Sequence, residues 1–163
     1  MSKYEKLFSP IIIGGTVVKN RIAMMHMGVF SQRLMGQDGA YTKDGADYYI
    51  ERAKGGTGLI VTGLVPIVPN PVFYILKDPE QYIKKSKYLM DGIHEHGAKI
   101  FVQLTALSGR TGHVKELPSP APAPIQNVWD PTEINEGMTV EDIKQYINNF
   151  AEGAYVVQQA GGD

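Results

Sequence analysis

The chain has 163 residues and a formal net charge of −1, with 43% hydrophobic and 20% charged residues. This balance is typical of a folded domain, and it favours neither a nucleic acid nor an acidic membrane surface as a partner. The absence of cysteine excludes disulfides, thiolate catalysis, iron–sulfur ligation and the usual zinc sites within these residues.

The amino terminus is charged and lacks the apolar core of a signal peptide, and no apolar run approaches the length needed to cross a bilayer. The sequence therefore predicts a cytoplasmic protein. No metal site is predicted, because none of the four histidines has a metal-ligand spacing. His94 and His96, two positions apart on a predicted helix, point to different faces.

The first part of the chain predicts a hairpin, a strand and a helix. Residues 11–18 are two β-prone runs joined by Gly14-Gly15, which indicates a tight turn because both turn positions need positive φ. Residues 21–25 predict a short buried strand. Residues 44–54 predict a helix that Gly55-Gly56 ends, since glycine tolerates the left-handed conformation there. The inner side of this helix is predicted to carry Tyr49, Ile50 and Ala53.

A second and a third strand follow, with a helix between them. Residues 58–62 are a compact apolar run. Residues 78–81, Asp-Pro-Glu-Gln, combine a capping aspartate, a proline suited to the first helical position and a capping-box amide. The helix that begins there is predicted to end at Gly97. Residues 99–104 predict the third strand.

The last predicted helix runs from about residue 139 to residue 159. Its apolar positions form a clear amphipathic stripe, and they are Ile143, Ile147, Phe150, Ala154 and Val157. The proline-rich run at 117–124 favours an extended conformation and predicts a stiff loop before this helix. A docking site for a partner domain is the alternative interpretation of that run.

Strand and helix alternate three times, which predicts an α/β fold with a parallel sheet. The apolar strands do not alternate, so both sheet faces are expected to be buried. A doubly wound sheet and a closed barrel both fit this pattern. A dinucleotide-binding turn would need its glycines after the first strand, whereas the glycines at 55–58 follow a helix and precede a strand.

Ten segments decide the interpretation, because they occur together and in one order over almost the whole chain. They are Leu7-Phe8-Ser9-Pro10 with the glycine hairpin, Lys19-Asn20-Arg21-Ile22, residues 48–56 (YYIERAKGG), residues 58–62 (GLIVT), His96-Gly97-Ala98-Lys99, Val102-Gln103-Leu104, Gly109-Arg110, Pro118-Ser119, Phe150-Ala151 and Ala160-Gly161. The chain resembles the old yellow enzyme family, in particular its 2,4-dienoyl-CoA reductases and enoate reductases.

The resemblance implies a TIM (β/α)8 barrel with FMN over the carboxyl ends of its strands. Such a barrel typically needs ~250 residues. We therefore expect residues 1–163 to form an incomplete barrel, consisting of the amino-terminal hairpin and the first three βα units. The chain is expected to be a fragment that ends just before the fourth strand.

Ligands of a parallel barrel contact residues at the carboxyl ends of its strands. The resemblance places the family's flavin contacts after the first strand, after the second and at the end of the third, on His26, Met27, Gly28, Gly63 or Leu64, and Gln103. The carboxamide of Gln103 offers a donor and an acceptor, which suits the alternating edge of the flavin pyrimidine ring.

Two positions depart from the family pattern. His26 stands where the family usually has proline, which puts a rigid turn in doubt but leaves a backbone contact to flavin feasible. Thr105-Ala106-Leu107-Ser108 stands where the family has a histidine before Gly109-Arg110.

The resemblance also implies the chemistry. NADH or NADPH passes hydride to the flavin, which then reduces the activated C=C bond of a small-molecule enoate, dienoyl-CoA or enone. The family's carbonyl-binding pair and proton donor lie beyond the fourth strand, so no catalytic residue is predicted within this chain, and we expect it to be inactive alone. The alternative is a non-catalytic half-barrel that acts as an assembly module, by self-association or by pairing with a carboxyl-terminal half.

Overall fold

A computed structural model of the chain describes residues 3–27, 34–36, 38–69, 73–110, 118–121 and 123–163. Seven strands and three α-helices lie in these residues, with a short 3-10 turn at Ile75–Lys77. In chain order the elements are β1 (Ile11–Ile13), β2 (Thr16–Val18), β3 (Ala23–Met24), α1 (Lys43–Lys54), β4 (Leu59–Pro66), α2 (Pro79–Glu95), β5 (Lys99–Thr105), β6 (Ile125–Gln126), β7 (Ile134–Asn135) and α3 (Val140–Ala160).

The central sheet is parallel, with the strand order β3-β4-β5. Its register places Ala23 opposite Leu59, and Leu59 opposite Lys99. The helices α1 and α2 connect successive strands, as parallel pairing requires. Tyr49 and Ala53 of α1 and Ile60 of β4 belong to one buried cluster. The predicted α/β class with a parallel sheet is confirmed.

The amino-terminal hairpin is confirmed as well. β1 pairs antiparallel with β2, and the turn glycines Gly14 and Gly15 have φ values of 58° and 103°. The prediction of a buried strand at residues 21–25 is wrong in extent and burial, since β3 contains two residues and Ala23 is exposed. Among the described strands β3 pairs only with β4, so no second described strand lies beside it.

Each helix begins after a capping side chain, and the sequence indicated one of these caps, Asp78. Asp78 accepts a hydrogen bond from the backbone N–H of Gln81 at 3.0 Å. Thr139 and Asp142 form a reciprocal capping box. The first helix begins at Lys43, one residue earlier than predicted, because Thr42 Oγ1 accepts the N–H of Gly45 at 3.2 Å.

The apolar stripe of α3 lies largely outside the core. Ile143 is 46% exposed, Ile147 62% and Phe150 39%. The residues that α3 buries are the smaller ones, namely Gly153, Val156 and Ala160. The stripe instead borders an open apolar groove of about 660 Å³, whose other walls include Ala106, Pro120 and Met138.

The segment between β5 and α3 contains a feature that the sequence did not indicate. β6 and β7 form a two-residue antiparallel ladder with Ile125 opposite Asn135. The proline-rich run is described at 118–121 and 123–124, where Ser119 makes an isolated bridge to Gly137. In the described part of the chain, no helix is both long and apolar enough to cross a membrane.

Candidate functional site

The carboxyl ends of the three parallel strands meet at one edge of the sheet, which is where an α/β protein of this kind binds its ligand. Gly63 and Leu64 lie within β4, which continues to Pro66, and Gln103 lies two residues before the end of β5. The expectation that Gly63 and Leu64 follow the second strand is therefore wrong, whereas Gln103 lies close to the end of the third strand, as expected. Pairing continues to Pro66 and Thr105, which lengthens both strands.

A β-bulge lies at this position in β4. Val61 is opposite Phe101, but Leu64 is opposite Gln103, so β4 has one more residue than β5 between these pairs. The hydroxyl of Thr62 stabilises the irregularity, because it accepts the N–H of Gln103 at 3.2 Å and donates to the carbonyl oxygen of Gly63 at 3.0 Å. Bulges of this kind occur next to active sites, where they redirect side chains.

The carboxamide of Gln103 has an oxygen that needs a donor. Oε1 is buried, and within the residues that the structure describes it has no hydrogen-bond partner. Leaving a buried carbonyl oxygen without a donor costs about 1–3 kcal/mol. The N–H of a flavin pyrimidine ring is a donor of the required kind, flanked by carbonyl oxygens that can accept from the same amide. The side chain therefore fits the group that the resemblance implies.

The residues after β3 are exposed. His26 and Met27 are both open to solvent, Met27 with 62% of its surface, and Met25 is 60% exposed. Thioether side chains adapt to irregular apolar surfaces such as an aromatic ring system. Gly28, the remaining predicted flavin contact, lies outside the described residues.

A residue that the sequence had assigned only to packing reaches this edge of the sheet. Tyr49 of α1 is fully buried, and its hydroxyl donates to the carbonyl oxygen of Met27 at 3.2 Å. The Tyr49 hydroxyl oxygen also accepts the backbone N–H of Gly63 at 3.1 Å. The sequence placed Tyr49 on the inner side of a helix, within a segment that resembles the family. It did not indicate which groups the hydroxyl contacts.

A second tyrosine completes the polar cluster. The hydroxyl oxygens of Tyr41 and Tyr49 are 3.5 Å apart, and their rings meet edge to face with centroids 5.1 Å apart. Burial, and then the neighbouring Tyr49, raises the pKa of Tyr41 far above its ordinary value. Tyr41 therefore stays protonated. Since Tyr49 directs its proton to Met27, Tyr41 is the donor between the two hydroxyls.

The comparison with known proteins agrees with this geometry. The family described as NADH:flavin oxidoreductase / NADH oxidase matches residues 6–163. The chain belongs to this family. Membership implies FMN as the cofactor, with NADH or NADPH as the reductant.

Individual relatives are moderately similar over nearly the whole chain. A cinnamate reductase of Clostridium sporogenes is 33% identical over 99% of this chain and 25% of its own length. An NADPH dehydrogenase of Listeria welshimeri is 32% identical over 98% of this chain and 46% of its own length. The chain thus spans between a quarter and a half of the length of these relatives.

Solved structures share the fold. A 2-naphthoyl-CoA reductase superposes with a TM-score of 0.77 at 25% identity, over 98% of this chain and 26% of its own. Old yellow enzyme from Pichia sp. AKU4542 superposes with a TM-score of 0.76 at 24% identity, over 97% of this chain and 44% of its own. The parallel sheet and its helices therefore correspond to part of an old yellow enzyme fold.

Proposed function

We propose that residues 1–163 are the amino-terminal, FMN-binding part of an NAD(P)H-dependent reductase of activated C=C bonds. The hairpin and three βα units supply the first part of a TIM barrel. The observation that carries the proposal is the buried, unpartnered Oε1 of Gln103 at the carboxyl edge of the parallel sheet. The names of the relatives, a cinnamate reductase and NADPH dehydrogenases, support the reaction class.

When bound, FMN supplies hydride transfer between a nicotinamide and the alkene. The chain's own residues bind and orient. Gln103 offers its amide to the pyrimidine edge of the ring, and the backbone at Gly63 and Leu64 offers further polar groups from the bulge. Met27 provides an apolar surface beside the ring system, and His26 and Gly28 supply backbone contacts.

No described residue of this edge is assigned to proton donation or to polarising a substrate carbonyl. Because the chain spans only a quarter to a half of the length of its relatives, we propose that these roles belong to a part of the reductase outside this chain, and that the chain alone does not turn over an enoate, a dienoyl-CoA or an enone. The partners of the whole enzyme are then a small-molecule alkene and NADH or NADPH.

Titration of the purified chain with FMN tests the binding role. We expect a perturbed flavin absorbance band that persists through gel filtration, and about tenfold weaker binding in Gln103→Ala, because one buried hydrogen bond to the ring is lost. Since removal of the unpaired Oε1 relieves a desolvation cost that offsets the lost packing of the side chain, the same variant should not lower the free energy of unfolding by more than about 1 kcal/mol.

Gln159→Ala is the matched control, since it removes an exposed carboxamide from α3. It should leave the affinity for FMN unchanged. A wild-type chain that neither perturbs the flavin spectrum nor retains FMN contradicts the proposal. Equal affinity of the Gln103→Ala variant and the wild type contradicts the role of Gln103.

A non-catalytic assembly module is the second candidate function. The exposed stripe of α3 favours it, because Ile143, Ile147 and Phe150 offer an apolar surface beside the strand β5, which among the described strands pairs only with β4. Self-association or pairing with a carboxyl-terminal half would cover both features.

A further inference from the structure

The hydroxyl of Tyr49 lies at the point where the first two strands of the parallel sheet stop pairing. The ladder between β3 and β4 ends at the pair Met24–Ile60. Met27 and Gly63 each lie three residues beyond that pair, and both bind the same Tyr49 oxygen, at 3.2 and 3.1 Å. A side chain of the intervening helix therefore replaces a ladder hydrogen bond across the strands.

The same contact stabilises the bulge in β4. Gly63 is one of the two residues of the bulge, Thr62 and Gly63, and its N–H donates to Tyr49. The carbonyl oxygen of Gly63 is bound by Thr62, whose hydroxyl also accepts the N–H of Gln103. The hydroxyls of Tyr49 and Thr62 thus satisfy the bulge on its two sides, one toward β3 and the other toward β5.

The proton inventory of this cluster is consistent. Tyr49 has one hydroxyl proton, and it goes to Met27. Its oxygen accepts from Gly63 at 3.1 Å and lies 3.5 Å from the hydroxyl oxygen of Tyr41. Tyr49 has none of its surface exposed, and Tyr41 has 6% exposed. Such a satisfied buried network holds its members in one arrangement.

We propose that Tyr49 is a positioning residue for the flavin site: its hydroxyl fixes the carboxyl ends of β3 and β4 before the cofactor binds. The inference rests on the proposed FMN-binding function. Met27, Gly63 and Leu64 are candidate flavin contacts. The bulge determines that Leu64 lies opposite Gln103 in the strand pairing. Preorganised polar groups bind more tightly because the protein does not have to order them on binding.

Tyr49→Phe in the full chain is the test, because it deletes only the oxygen. We expect FMN binding to weaken roughly tenfold, as for the loss of one buried hydrogen bond. The visible absorbance band of the bound flavin should also change, which a general loss of stability would not cause. Tyr82→Phe is the control. Tyr82 is 1% exposed on α2, and the same atom is removed there.

Hydrogen exchange of the unliganded chain tests, without FMN, whether the Tyr49 hydroxyl holds Gly63 in place. The Gly63 amide should exchange at least about tenfold faster in Tyr49→Phe than in the wild type, and it should be unchanged in Tyr82→Phe. If Tyr49→Phe does not fold, Tyr41→Phe provides the second variant, with a smaller increase expected at the same amide.

The outcomes separate the two claims. Unchanged exchange at Gly63 overturns the claim that the Tyr49 hydroxyl fixes the strand ends, whatever the FMN affinity and spectrum show. Faster exchange with unchanged FMN affinity and spectrum overturns the positioning role and leaves the proposed function intact. A wild-type chain that binds no FMN overturns the proposed function together with the flavin role of Tyr49. Exchange at Gly63 still decides whether the Tyr49 hydroxyl fixes the strand ends.

Discussion

Asp163 and Ile100 are joined by two hydrogen bonds. The backbone N–H of Asp163 donates to the carbonyl oxygen of Ile100 at 3.0 Å, and the N–H of Ile100 donates to the Asp163 carboxylate at 2.9 Å. The N–H of the neighbouring Lys99 donates to the carbonyl oxygen of Gly58, which immediately precedes β4. Asp163 therefore occupies the side of β5 that faces away from β4.

Loss of the Asp163 charge should destabilise the chain. The carboxylate, whose side chain is 11% exposed, also lies 2.5 Å from Lys99 Nζ and 2.7 Å from His94 Nε2. We expect Asp163→Asn to lower the free energy of unfolding by about 1–3 kcal/mol, since hydrogen bonds to a charged group are lost or weakened. Urea unfolding at neutral pH measures this. Asp91→Asn is the control, because its ion pair with Lys87 is exposed and should contribute at most about 1 kcal/mol.

The same carboxylate should make stability depend on acidic pH. Burial acts to raise the pKa of Asp163, but hydrogen bonds from Lys99, His94 and the Ile100 N–H together hold that pKa below its ordinary value. A carboxyl group with a lower pKa in the folded state stabilises it fully above the unfolded pKa of about 3.9, and this contribution is lost as pH falls through the folded pKa. Unfolding measured between neutral and strongly acidic pH should be less pH-dependent in Asp163→Asn. Identical profiles would contradict this account.

The exposed stripe of α3 should cause self-association at high protein concentration. Ile147 is 62% exposed in the middle of the stripe, and beyond Ile100, whose outer side Asp163 occupies, no second described strand pairs with β5. We expect the wild-type chain to form dimers or larger species in sedimentation velocity, and Ile147→Glu to shift the distribution toward monomer. Asn148→Glu introduces the same charge at a neighbouring exposed position and should have little effect. A wild-type chain that stays monomeric and unfolds sharply and reversibly would refute the expectation.

A methyl group at Gly58 should disturb the amino-terminal end of the sheet. A Cβ there would lie 2.4 Å from Oδ1 of Asn20, a buried side chain that accepts the N–H of Ile22 and donates to the carbonyl oxygen of Gly56. We expect Gly58→Ala to lower the free energy of unfolding by about 1–3 kcal/mol, because Asn20 must leave this position. Thermal unfolding measures the loss.

Gly55→Ala is the control for that substitution. Gly55 has a helical φ of −69°, and an added Cβ would lie 3.3 Å from its nearest neighbour, the carbonyl oxygen of Glu51. Its effect should stay within about 0.5 kcal/mol. Equal losses for the two alanine variants would show that contact with Asn20 is not the cause.

The resemblance depended partly on segments whose contacts only the structure explains. Asn20 and its neighbours belong to one such segment. Lys19 donates to the carbonyl oxygen of His96 at 2.5 Å, and Asn20 donates to that of Gly56 at 2.8 Å. The segment thus ties the hairpin to the ends of α1 and α2. The sequence identified this segment only by its resemblance to the family. Its role in joining the helix ends depends on contacts with residues that are distant in the chain.

Local chemistry determined the elements and their order. The positive φ of Gly14 and Gly15, the cap at Asp78 and the apolar runs of the strands depend on neighbours within a few residues. The sequence alone therefore predicted the hairpin, the helix starts to within a residue or so and the parallel α/β pattern. The sequence also indicated the family. It placed Gln103 near the candidate flavin edge because the order of strands and helices already determines which end carries the ligand.

Tertiary packing decided the rest. The lengths of β4 and β5, the bulge between Val61 and Leu64 and the burial of Gln103 Oε1 depend on which strand lies alongside. The hydroxyl of Tyr49 joins positions 22 and 14 residues away in the chain. Whether the apolar stripe of α3 is covered depends on what packs against it. Periodicity gives the direction of a side chain on its own element, but only the folded chain decides which atoms it meets.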